Sequence, residues 1–157
     1  MSKGIVIGEQ CHVINAFAPV DINGAAQVSD VWSMENYSHC TIIVQLGVTG
    51  AATTITVEEC DDFDPTNDTA IAFSYYAETT AAGDTLSVRT AAGVGGITGS
   101  TNDGVMYVIE IDAAQLTAGY PNLYVKLSNP GAATLASIVV ILSGARYAHE
   151  ASETAIV

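Results

Sequence analysis

The chain has 157 residues, of which 17 are acidic and four basic, giving a formal net charge of −13. Its cations, Lys3, Arg89, Lys126 and Arg146, lie far apart. Binding a phosphate backbone takes clustered Lys and Arg, so nucleic acid is not an expected partner, and anionic membranes are disfavoured for the same reason. Hydrophobic residues make up 49%, yet no apolar run approaches the roughly 18 residues of a membrane span.

The length suits one domain spanning residues 1–157, large enough to bury about 70% of its unfolded-chain surface without disulfide or metal staples. Residues 1–8 read as an N-terminal arm. They carry one Lys and only four apolar side chains, Met1 included, before Glu9, which fits no secretory h-region. Residues 9–18 alternate weakly, as a first strand closed by Pro19, and Asn23-Gly24 supplies a turn. Trp32, the one Trp of the chain, sits in a short apolar stretch at 31–34. Residues 40–47 are nearly all apolar, as expected of a strand covered on both faces.

Residues 53–76 hold the clearest pattern. Ile55 and Val57 alternate with Thr54, Thr56 and Glu58, the period of a strand with one buried face. An acidic, turn-forming run at 61–68 then leads to a second strand at 70–76, ending in Tyr75 and Tyr76. Residues 79–104 are rich in Gly, Ala and Thr, and only 86–89 suggest a strand. A long excursion of this kind inside a compact domain is usually a binding loop or a mobile one. Its Gly-rich run at 93–99 lacks the lysine and the strand–turn–helix setting of a phosphate cradle.

Three further strands are expected after Gly104. The first is a run from Val105. The second starts at Asn122, with Leu123, Val125 and Leu127 inside and Tyr124, Lys126 and Ser128 outside. The third is the very apolar stretch after Gly131. Residues 113–119 suit one helical turn stopped by Gly119, and 148–157 form a polar tail. About eight strands and almost no helix predict an all-β fold, an antiparallel β-sandwich of jelly-roll type.

No catalytic constellation emerges. No nucleophile elbow is present, and the adjacent Glu58 and Glu59 face opposite sides of a strand, unlike a working carboxylate pair. Cys11, Cys40 and Cys60 are odd in number and widely spaced. Cys11–His12 and His39–Cys40 resemble ligand pairs, but strand neighbours point to opposite faces, so buried thiols beside surface histidines are expected, with no disulfide framework. Asp62, Asp64, Thr66 and Asp68 stand at alternate positions, like the start of a calcium loop, with Asp62, Asp64 and Asp68 the candidate ligands. The EF-hand template fails, however, at Asn67, where Gly is required, and at Phe73, where Glu is required. A calcium site between strands is the one metal reading left, against a solvated turn. No cofactor is expected. Trp32, Tyr75 and Tyr76 are the candidate interface anchors, and Trp32 equally reads as core.

Residues 41–62, 70–79, 103–116 and 141–147 resemble, in phrase and style, small structural proteins of tailed-bacteriophage head modules. The similarity runs from about residue 10 to residue 147. It implies a non-enzymatic virion structural protein like the capsid decoration (cement) proteins. Such proteins sit on the outer capsid surface, commonly as trimers, and clamp neighbouring subunits of the major capsid protein. The alternative is a receptor- or glycan-binding module of a tail or head fibre, with Trp32, Tyr75 or Tyr76 as stacking platforms and the acidic loop holding calcium. Self-association is expected on chemical grounds too. The strands at 105–111 and 136–143 carry apolar residues on both faces, more than a sandwich with one wet face per sheet requires. Only the trimer number comes from the resemblance.

Overall fold

A computed structural model of the chain describes residues 4–80, 83–146 and 156. A one-turn helix α1 (Ile7–Gln10) precedes twelve strands. These are β1 (His12–Asp21), β2 (Gln27–Val28), β3 (Trp32–Ser33), β4 (Tyr37–Thr49), β5 (Thr54–Cys60) and β6 (Asp68–Ala70), followed by β7 (Phe73–Glu78), β8 (Thr90–Ala92), β9 (Ile97–Thr98), β10 (Val105–Asp112), β11 (Asn122–Leu127) and β12 (Thr134–Ala145). A 3-10 turn, Ala113–Gln115, follows β10.

The strands form two antiparallel sheets. One has the order β1-β12-β4-β10-β7-β8 and the other β2-β11-β5-β6, with β3 paired to β11 and β9 to β5. The order β1-β12-β4-β10 facing β2-β11-β5-β6 is that of a jelly roll; β7 and β8 extend the first sheet beyond β10. The all-β sandwich expected from the sequence is therefore present. Its short additional strands come mostly from stretches too brief to carry a visible period.

The core follows from alternation. Ile42, Val44 and Leu46 of β4, Ile138, Val140 and Leu142 of β12, and Tyr107, Ile109 and Ile111 of β10 turn inward from the first sheet. They meet Ile55 and Val57 of β5 and Leu123, Val125 and Leu127 of β11. Leu123, Val125 and Leu127 are thus inside, as read from the sequence. Two buried threonines tie the loop end together: Thr53 Oγ1 donates to the Ser128 carbonyl at 2.7 Å, and Thr134 Oγ1 to the Ala51 carbonyl at 3.1 Å.

The structure corrects several boundaries. β1 runs through Pro19, because it is an edge strand whose register slips between Asn15 and Phe17 and again between Phe17 and Val20; there a missing N–H removes no ladder bond. The strand expected at 70–76 is two strands in different sheets, β6 paired to β5 and β7 paired to β10, so residues 71–72 carry the chain across the sandwich. Residues 86–89 form no strand, although Ser87 N donates to the Ala77 carbonyl at 2.8 Å. Residues 79–104 do contain β8 and β9. β4 is covered on one face only, since Thr41, Ile43 and Gly47 are half-buried and Gln45 is exposed. The arm at 1–8 is described from residue 4, and the tail at 148–157 lies outside the described residues except for Ile156, which packs against the core.

Candidate interaction surface

Because Ile42, Val44 and Leu46 face inward, their neighbours on β4 face away from the second sheet, and the ladder fixes what stands beside them. One row across five strands reads Asn15, Val139, Ile43, Val108 and Tyr76. The next row reads Val13, Ile141, Thr41, Glu110 and Ser74. The first of these rows carries no charge, in a chain of net charge −13. Its apolar members are half-buried, and Val13 in the next row is exposed. Apart from α1 beside β1 and the 3-10 turn beside β4, every described element belongs to one of the two sheets. A depression of about 400 Å³ continues this face at one end, lined by Pro19, Gln45, Gly47, Met106, Leu135 and Ser137 among others.

At the other end the rows stop at a charged cluster. His39 stands opposite Asp112 in the ladder, as Thr41 stands opposite Glu110. His39 Nδ1 is 2.7 Å from Asp112 Oδ1, and Nε2 is 2.7 Å from Glu110 Oε2. Thr41 Oγ1 donates to the same Glu110 oxygen at 2.8 Å. Two carboxylates, one at each ring nitrogen, call for a doubly protonated imidazolium, which alone donates from both sides. Partial burial works against that charge, yet the hydrogen bonds and attraction of Asp112 and Glu110 outweigh it and hold the His39 pKa above its ordinary 6.5. The sequence signal was Glu110 and Asp112 two apart on one strand face. It could not be joined to His39 without the register of β4 on β10.

The expected site residues fall in different places. Trp32 is 0% exposed, so it is a core residue and neither an interface anchor nor a stacking platform. Its indole N–H has no hydrogen-bond partner of good geometry among the described residues. Burial pushes the Cys40 thiol strongly up, and the nearby Trp32 indole works against that shift. Tyr75 is likewise corrected: it lies on the inward side of β7, with ring centroids 6.4 Å from both Phe73 and Tyr107. Tyr76 alone of the three belongs to the outward row. Cys11, Cys40 and Cys60 are free, the last two buried, and His39 and Cys40 point to opposite faces as expected.

The acidic loop does not gather its carboxylates. Asp62 and Asp64 are exposed, Asp61 accepts from Asn67 Nδ2 at 2.9 Å, and Asp68 accepts from the Tyr124 hydroxyl, with Lys126 Nζ at 3.7 Å. The Tyr124 hydrogen bond holds Asp68 below its ordinary pKa even though partial desolvation opposes it. Among the described residues no three His, Cys, Asp or Glu side chains are placed to hold a metal ion. Burial, and then the charges of Asp62, Asp61 and Asp68, push the Cys60 thiol up to about 11, so it is not a reactive thiolate at neutral pH. Glu59 faces inward and accepts from Thr117 N at 2.8 Å. Glu58 faces outward and accepts from Thr56 Oγ1 at 2.8 Å. As expected, the two do not form a pair.

No family model matches the chain, and no curated protein matches it. Among solved structures, it is similar to the crystal structure of the SPBc2 prophage-derived protein YomS, with 12% identity over 89% of this chain and 99% of that one and a TM-score of 0.40. It also shows similarity to a structure of infectious bursal disease virus Gt strain, with 9% identity over 92% of this chain and 42% of that one and a TM-score of 0.26. Scores of this size carry no argument about function, which rests on the chain's own surfaces.

Proposed function

We propose that this chain is a non-enzymatic virion structural protein. In this reading it is a capsid decoration subunit, assembled in the host cytoplasm, that sits on the outer head surface as a homotrimer and bridges neighbouring copies of the major capsid protein. The observation that carries the reading is the uncharged outward row Val139, Ile43, Val108 and Tyr76, flanked by Ile141 and Val13. An uncharged stripe across four strands of so acidic a chain is a candidate contact face. Burying it against other subunits would contribute roughly 25 cal/mol per Å² of apolar area before association costs. A jelly roll suits the role because capsid domains commonly use it; since fold alone does not fix function, the weight stays on the surface.

The test is reconstitution. Purified protein is added to heads that lack it, and co-sedimentation and the temperature of DNA release are measured. The reading expects saturable binding and a higher release temperature. Heads that bind no protein, or that bind it with an unchanged release temperature, would remove the cement role.

A further inference from the structure

One stretch of the chain carries exposed apolar side chains and a cation that match the outward face and its acidic end. Residues 83–91 are all exposed. They run back along β7 and lead into β8, whose Thr90 and Ala91 stand opposite Tyr75 and Ser74. This arm carries Leu86, 40% exposed, and Val88, 82% exposed. Next to Val88 is Arg89, one of only four basic residues. Lys126 pairs with Asp68, whereas Arg89 has no ion-pair partner among the described residues, in a chain with 17 acidic side chains. The arm thus presents two apolar side chains with a positive charge at Arg89 beside them, and its one acidic residue, Asp84, lies five positions back and accepts from Thr85 Oγ1 at 3.0 Å.

The outward face presents the complement. Val139, Ile43, Val108 and Ile141 are apolar, and the adjoining cluster sets two carboxylates, Glu110 and Asp112, against one imidazolium, His39. One negative charge is left unmatched there, and the Asp112 side chain is 65% exposed.

We infer that the arm at 84–91 of one copy docks on the outward face of the next. Leu86 and Val88 lie on the Ile43, Val108, Val139 and Ile141 patch, and Arg89 meets Asp112 beside the His39 cluster. The inference rests on the self-association proposed above and names its two surfaces. The patches differ, so the contact is head-to-tail and closes into a ring when the rotation fits, as a cyclic trimer requires. The charge match also sets the polarity, since a like-charged approach elsewhere on so acidic a molecule is repelled.

Analytical ultracentrifugation at micromolar concentration tests this on the full chain, its Arg89→Glu variant, the Arg89→Glu/Asp112→Lys double variant and Val88→Asp. Thermal unfolding verifies that each is folded; Arg89 and Val88 are exposed, so each variant should keep a cooperative transition, lowered only by the lost association. The expected result is an oligomeric parent, single variants at the 16.2 kDa monomer mass, and recovery of the oligomer in the double variant. An Arg89→Glu protein that stays oligomeric overturns the arm contact while leaving self-association standing. If that protein also no longer binds heads, the arm's partner is the capsid instead. Failure of the double variant to reassemble removes Asp112 as the docking point. A monomeric parent overturns both the inference and the oligomer on which it rests.

Discussion

At the scale of single residues, His39 and Trp32 decide most. The folded His39 pKa lies above its ordinary value because of Asp112 and Glu110. A raised pKa means that the cluster stabilises fully below the unfolded pKa, about 6.5. That contribution fades as pH rises through the folded pKa. The melting-temperature difference between the parent and His39→Gln should therefore be largest near pH 6 and shrink towards pH 9, and a difference that widens with pH would contradict the cluster's charge state. Trp32 is wholly buried, so Trp32→Ala should cost about 3–5 kcal/mol in urea unfolding. Tyr76→Ala, on the half-buried outward row, should cost about 1 kcal/mol or less and weaken association instead. Equal losses at the two sites would refute the assignment of faces. Sequence reasoning named both aromatics but could not separate them, because a short stretch such as 31–34 shows no period.

Elements with an uninterrupted period were legible. Leu123, Val125 and Leu127 alternate over a whole strand, and the inward reading follows from geometry alone. The acidic stretch followed by 70–76 was not, since nothing in the string Ala70, Ile71, Ala72, Phe73 marks a change of sheet. That change is made by pairing partners, β5 for β6 and β10 for β7. The Gly-rich excursion hides its order similarly: β9 is held to β5 by a close approach that needs Gly96. Gly96 has φ +72°, and a Cβ there would sit 2.1 Å from the Ile55 carbonyl oxygen. Gly96→Ala should lose about 2 kcal/mol or more from strain and collision together. Gly93→Ala, with nothing within 4 Å of its Cβ position, should be neutral or gain about 0.4–1 kcal/mol by restricting the unfolded chain. Chemical denaturation of the two variants side by side checks this, and a mild effect at Gly96 would mean that β9 does not lie against β5.

At the scale of the whole molecule, the sequence disclosed a surplus of apolar strand faces but not where they would gather. Val139, Ile43 and Val108 come from strands far apart in the chain and become one row only through the jelly-roll order β12-β4-β10. The same order sets His39 beside Glu110 and Asp112, and it leaves the 84–91 arm exposed at the opposite edge of that sheet. In the proposed role, a net charge of −13 would keep copies dispersed, and a neutral stripe would mark where they meet their place in an assembly. The central claim is therefore a location. Cryo-electron microscopy of the native particle tests it most directly: the account predicts jelly-roll density in rings on the outer head surface, with the Ile43–Val108–Val139 face buried against a neighbouring subunit. Density for this chain found only in the tail, or only inside the head, would contradict it.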